Sequence, residues 1–157
     1  TFITEFEGEA FDGPFIRKYW DQEAEGGRQN GESDADYIYL RYSDVLLMYA
    51  EVLNEINNGP TVEAYNAIND IRDRAGLDDL ADGMSYQAFK DAVLQERQWE
   101  FVMEGHRWFD LVRMGKLMDR VQLAKPTANI QAHHILFPIP QKERYLNRNL
   151  TQNEGYN

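Results

Sequence analysis

Apolar residues recur at helical spacing between residues 41 and 116 of this chain and lose that rhythm on either side. YSDVLLMYAEVLNEINNGP predicts a first helix over roughly residues 41–57. At about 100° per residue, Tyr42, Leu46, Tyr49, Ala50 and Leu53 form one stripe. Leu47 and Met48 fall off it, so a second face is expected to be covered as well. Gly59 and Pro60 stop the helix. Thr61 stands where an N-cap belongs, and TVEAYNAINDIRDRAG predicts a second helix that ends at Gly76. Its inward stripe is Ala64, Tyr65, Ile68, Ile71 and Ala75, and Arg72 falls within that stripe. A short loop between the two makes them antiparallel neighbours. Ser85 caps a third helix, which runs through ERQWEFVMEGHRWFDLVR and is interrupted near Gly105.

The flanks read differently. Residues 1–36 hold six glycines or prolines in Gly8, Gly13, Pro14, Gly26, Gly27 and Gly31, and EAEGGRQNGESDAD is a polar loop by composition. FIRKYW and DYIYLR are short aromatic stretches that could enter a helix extended. Beyond GKL, HHILFPIPQKE reads as extended, because Pro138 and Pro140 lack backbone donors and restrict the residues before them. The expectation is one mostly α-helical domain over 1–157. Its parts are a loop-rich entry at 1–36, a helical core at 37–117 and an irregular tail at 118–157 that lies as a strap on the helices.

Composition narrows the function. A chain of 157 residues with 43% hydrophobic content can bury a core. Its net charge of −11 makes nucleic acid and anionic lipid poor partners, since both are met by clustered Lys and Arg. A neutral ligand fits better. Without cysteine there is no disulfide, thiolate metal site or Cys nucleophile. Nor does any apolar run approach the roughly 18 residues of a membrane span. Asn30, Glu32, Asp34 and Asp36 alternate, but the glycine and closing Glu of a calcium loop are misplaced. The acids of LDDLADGM are read as solvated turn residues. No metal and no cofactor is expected.

The candidate chemistry lies in residues 96–113. On a continuous third helix, Glu96, Glu100 and Arg107 share a face with Phe89, Val93 and Met103. Buried carboxylates need partners, and Arg107 and Arg72 are the natural ones. A catalytic reading would pair Glu96 with Glu100 as acid and base, as in glycoside hydrolysis, but that needs an open cleft. A di-iron reading needs Glu-x-x-His, and Glu104-Gly105-His106 has one residue too few between its ligands. His133 and His134, adjacent on a strand, would point opposite ways. The reading taken is a structural ion-pair network of Arg72, Glu96, Glu100 and Arg107 with no catalytic residue, and with Trp99, Trp108 and Phe109 buried in it.

The same blocks carry a resemblance. YLRYSDVLLMYAEVLNE, AINDIRDRAGL, ERQWEFVMEGHRWFDLVRMGKL, LFPIPQKE and NLTQNEGY, in that order and spacing, resemble the C-terminal part of SusD/RagB proteins. The resemblance implies a helical fold of tetratricopeptide-like pairs, with residues 41–75 as one pair. It also implies a surface-exposed lipoprotein of the Bacteroidetes outer membrane that binds oligosaccharides. Such a protein works as a lid over a SusC-type TonB-dependent transporter. Members of the family are around three times this length, with a signal peptide and a lipidated cysteine near the start. The chain is therefore read as a C-terminal fragment, attached to a membrane only through an anchor that it lacks. Family glycan contacts come mainly from upstream loops. Sugar faces take flat aromatic rings, and Tyr19 and Trp20, followed by Asp21 and Gln22, are the ligand-binding candidates in this segment.

Overall fold

The structure, a computed structural model, describes residues 2–6, 9–16, 18–19 and 36–156. It is mostly helical. Two strands, β1 (Phe2–Phe6) and β2 (Glu9–Ile16), pair antiparallel within the stretch expected to be loop. The register slips between Ile3 and Glu5, opposite the part of β2 that contains Gly13 and Pro14, which weaken and interrupt a ladder. The helices are α1 (Tyr42–Asn57), α2 (Val62–Arg74), α3 (Tyr86–Glu100), α4 (Arg107–Arg113), α5 (Leu117–Ala124) and α6 (Gln141–Leu146). By its internal contacts the chain falls into two compact units, Thr1–Gly105 and His106–Asn157.

In the first unit α1 packs on both α2 and α3. The Thr61 side chain caps α2 by accepting from the Ala64 amide, and Ser85 caps α3 by accepting from Ala88. At the far end of α2, Gly76 at φ 73° reverses the chain, so that its amide reaches Asp73 O and the Leu77 amide reaches Arg72 O. That double bond is the Schellman stop, and the left-handed position is where glycine has no Cβ to strain. The core joins Leu47 and Ala50 to Ala64, Tyr65, Ala67, Ile68 and Ile71, and to Phe89, Val93 and Phe101. Tyr65 meets Phe89 edge-on at 5.1 Å and its hydroxyl accepts from the Met84 amide at 2.9 Å. Full burial of a side chain such as Phe89 contributes about 1.5–3 kcal/mol.

The stripe expected on α1 is displaced. Asp44, Leu47, Ala50 and Asn54 face inward, whereas Tyr42 is 72% exposed and Tyr49 48%. Apolar residues run nearly all round α1, so periodicity by itself does not choose a face. On α2 the expected stripe is found except for Ala75, which is exposed past the helix end.

The second unit carries the tail. His133 and His134 lie in a 3-10 turn (Ala132–Ile135), not a strand, so their rings lie close, with centroids 4.1 Å apart. Only residues 136–140 are extended, and α6 begins straight after Pro140. The polar groups left open by Pro138 and Pro140 are met by side chains of the last residues. Gln152 bonds both the amide and the carbonyl of Ile139, Asn153 donates to Phe137 O, and Tyr156 donates to Leu136 O. That is why LFPIP and TQNEGY travel together. Gly155 closes the strap at φ 86°, where an added Cβ would clash with the His133 ring. Gly155→Ala is expected to cost about 2–3 kcal/mol through steric clash and left-handed strain, measured by urea unfolding. An unchanged midpoint would refute this packing.

Candidate functional site

Helix α3 ends at Glu100, five residues short of the glycine expected to interrupt it. The cause is remote in sequence. Arg41 Nη2 donates to the Glu100 carbonyl at 2.6 Å and Lys18 Nζ donates to the same oxygen at 3.0 Å. Two cations thus occupy the carbonyl at the negative end of the helix, where positive charge is most favourable. The chain then turns through Met103 at φ 66°, a left-handed position for a non-glycine residue, which brings Glu104 back under the helix end.

Glu104 is the most enclosed acid there, with its side chain 1% exposed. Arg41 Nε spans both its oxygens at 3.1 and 3.0 Å, and Lys18 Nζ donates to Oε1. Arg41 Nη1 also donates to Glu100 Oε1, which accepts from Arg74 Nη2 at 2.5 Å. Arg72 Nη1 reaches Glu96 Oε2 at 2.6 Å, and its Nε donates to Asp78 O at 2.8 Å. Deeper, Arg97 Nη1 meets Asp44 Oδ1 at 2.7 Å, both nearly fully buried. The guanidinium carbons of Arg41 and Arg97 lie 4.7 and 4.9 Å from the Phe101 ring centroid. Burial raises the pKa of Glu100 and Glu104, but hydrogen bonds from Arg41, with Ser43 and Lys18 helping, outweigh it and hold both below the ordinary 4.5.

Of the four residues expected to form the network, Arg72 and Glu96 meet each other directly and Glu100 meets Arg41 and Arg74. The continuous helix expected to carry Arg107 is not formed: Arg107 belongs to the second unit, where it opens α4, and its guanidinium pKa is lowered by burial and by Arg120. Met103, expected on the apolar face, is 66% exposed. Trp99 and Phe109, expected to be buried, are 55% and 69% exposed. Lys18, Arg41, Arg97, Asp44 and Glu104 went unread because their partners lie 53 to 86 residues away, with no local spacing to betray them.

Phe89 and Val93 are fully buried, but Glu96 and Glu100 line an open groove of about 870 Å³ together with Trp99, Ile38, Leu77 and Arg74 among others. Tyr19 lies near it at φ 65°, half-buried, stacked on Tyr37 at 5.6 Å with 13° between planes. Tyr37 in turn donates to Glu104 O at 2.8 Å. Trp20, Asp21 and Gln22 lie outside the described residues. Among the described residues no group of three or more His, Cys, Asp or Glu is arranged to hold a metal ion. No helix there is long and apolar enough to cross a membrane.

The profile of the SusD family (SusD/RagB) matches residues 4–156. The chain belongs to the SusD family. The SusD-like protein P25 of Formosa agariphila is 36% identical over 152 residues, covering 92% of this chain and 28% of that protein. The starch-binding protein SusD of Bacteroides thetaiotaomicron is 29% identical over 129 residues, covering 78% of this chain and 22% of that protein. The crystal structure of a SusD homologue from Bacteroides thetaiotaomicron superposes with a TM-score of 0.70 at 40% identity, over 76% of this chain and 27% of that one. This chain therefore spans roughly a quarter of the SusD-like proteins it matches. The mostly helical, tetratricopeptide-like architecture read from the sequence is the fold of this family, with α1 and α2 as one of its helix pairs.

Proposed function

We propose that this chain is the C-terminal portion of a SusD-like protein that captures oligosaccharide at the outer face of the outer membrane. The whole protein would hold its ligand without chemistry and pass it to a SusC-type TonB-dependent transporter. It would be tethered by a lipid on a cysteine outside these residues. Family membership together with a relative described as starch-binding is the observation that carries this reading. The geometry supports a non-catalytic role. A general acid for glycoside hydrolysis needs a carboxyl pKa raised towards neutrality. Glu100 and Glu104 are shifted the other way by the cations that hold them. The ion pairs of Arg41, Arg72, Glu96, Glu100 and Glu104 act as scaffold.

A second reading, that this segment supports the site without touching sugar, is favoured by Tyr19. One face of its ring is already taken by Tyr37. Calorimetry with neutral gluco-oligosaccharides, on this chain beside the full-length protein, tests both readings. Binding by the full-length protein is expected. Loss of binding in Tyr19→Ala/Trp20→Ala with an unchanged melting temperature would place a contact here, and intact binding would make the segment scaffold. Turnover of the sugars, or no binding by the full-length protein, would overturn the proposal.

A further inference from the structure

The groove at the C-terminal ends of α2 and α3 has a volume within the range of small-ligand sites, about 300–1,000 Å³. Its charges do not balance. Among the described residues that line it, four cations, Lys18, Arg41, Arg72 and Arg74, stand against three carboxylates, Glu96, Glu100 and Glu104. Lys18 and Arg41 are held by Glu104, Arg72 by Glu96, and Glu100 is shared between Arg41 and Arg74. Arg74 is the least engaged of the four. Its side chain is 59% exposed, and the bond it makes among the described residues runs from Nη2 to Glu100 Oε1. The negative ends of the two helices do not absorb the surplus. Glu100 O already accepts from Arg41 and Lys18, while Asp73 O and Arg72 O accept from the Gly76 and Leu77 amides.

Trp99, in the last turn of α3, lines the same groove and is 55% exposed. A flat indole accepts the C–H face of a sugar ring, and a guanidinium fork with donors to spare accepts both oxygens of a carboxylate. We propose that the groove is a subsite for an acidic sugar, a hexuronate unit of an oligosaccharide, with its ring on Trp99 and its carboxylate on Nε and Nη1 of Arg74. The proposal rests on the reading of the whole protein as an oligosaccharide binder and adds the chemistry of one unit of the ligand. It departs from the neutral ligand that the net charge of −11 suggests. Exposed charges farther off than about 8 Å are largely screened at physiological salt, so the local surplus governs the groove. One carboxylate brings it to four charges of each sign.

The test is calorimetry on the full-length protein with trisaccharides of mannuronate, guluronate and galacturonate. Each is compared with its methyl ester, which keeps the ring and removes the charge. At least one uronate is expected to bind about tenfold or more tighter than its ester. Arg74→Gln is expected to lower the affinity for that acid to the level of the ester. Trp99→Ala is expected to weaken it about tenfold, since a ring that stacks contributes apolar contact. Both substitutions are at exposed positions, and neutral gluco-oligosaccharide binding by the variants is expected to match the parent, which reports that they are folded. Should Arg74→Gln fail that control, Trp99→Ala decides. No uronate binding by a protein that binds neutral glucans would overturn the subsite and leave the oligosaccharide reading standing. Equal affinity for acid and ester, or acid binding that survives both substitutions, would also overturn it. So would binding of a tripeptide with a free C-terminus, lost on amidation, in place of every uronate, which would make the groove a peptide site.

Discussion

Glu104→Ala is expected to destabilise this chain by about 3–5 kcal/mol, because it leaves two cations around an empty, enclosed site. The loss is large against a total of about 5–15 kcal/mol for a typical domain. The side chain is 1% exposed and bonded by Arg41 through both oxygens and by Lys18. Arg41 keeps Glu100, and Lys18 keeps the Glu100 carbonyl, so the helix end remains attached but a positive charge is left over. Urea unfolding followed by circular dichroism should show a lower midpoint with an unchanged slope. Glu104→Gln, which preserves the shape and loses the charge, should fall between the variant and the parent. A loss under about 1 kcal/mol for the alanine variant would mean that water replaces the carboxylate, as at an exposed pair.

The same site gives stability a direction with pH. The pKa values of Glu100 and Glu104 are raised by burial, then lowered further by Arg41 and its neighbours, and end below 4.5 in the folded chain. The unfolded chain therefore binds more protons than the folded one in the acid range. The contribution is fully present above about pH 4.5 and is lost as pH falls through the folded-state values. Glu104→Gln should flatten the acid limb of the stability curve below pH 4.5 and leave the neutral limb parallel to the parent. An unchanged acid limb would assign it to other carboxylates.

How much of this could be read from the sequence depended on distance along the chain. Thr61, Ser85 and Gly76 act within a few residues of themselves, and their caps and stop stand where turn chemistry puts them. Arg72 on the apolar face of α2 could be paired with Glu96 because both lie on strongly periodic helices. The end of α3 could not be located that way, since it is set by Arg41 and Lys18 from 59 and 82 residues upstream. That one misplaced boundary put Met103 on the apolar face, although it is 66% exposed, and joined Arg107 to the same helix as Glu100. Trp99 and Phe109 were assigned inward because they sit within the charged scaffold motif, yet they are 55% and 69% exposed. Apolar residues nearly all round α1 likewise made the buried side of that helix ambiguous.

Arg97→Met should be about as damaging as Glu104→Ala, and its rescue is more informative. Arg97 and Asp44 lie 2.7 Å apart, both at most 6% exposed, and tie the last turn of α3 to the first turn of α1. Removing the guanidinium alone leaves the Asp44 carboxylate buried without that partner, at an expected cost of about 3–5 kcal/mol. Asp44→Leu alone removes that bond from Arg97, whose other contacts and the Phe101 ring 4.9 Å away soften the loss. The double variant Arg97→Met/Asp44→Leu fills the volume with apolar atoms and should be less damaging than the sum of its singles, giving a coupling of at least about 2–3 kcal/mol in a double-mutant cycle. Full recovery of stability would show that the pair contributes little net energy to the fold. Its remaining role would then be to select register, since sliding α1 by one turn against α3 buries an unmatched charge in the wild-type chain and none in the double variant. A double variant as unstable as the sum of its singles would instead make each residue independent of the other, and the α1–α3 packing would then rest on its other contacts, among them Asn54 Nδ2 donating to Tyr86 O at 3.1 Å and the Glu55–Lys90 pair.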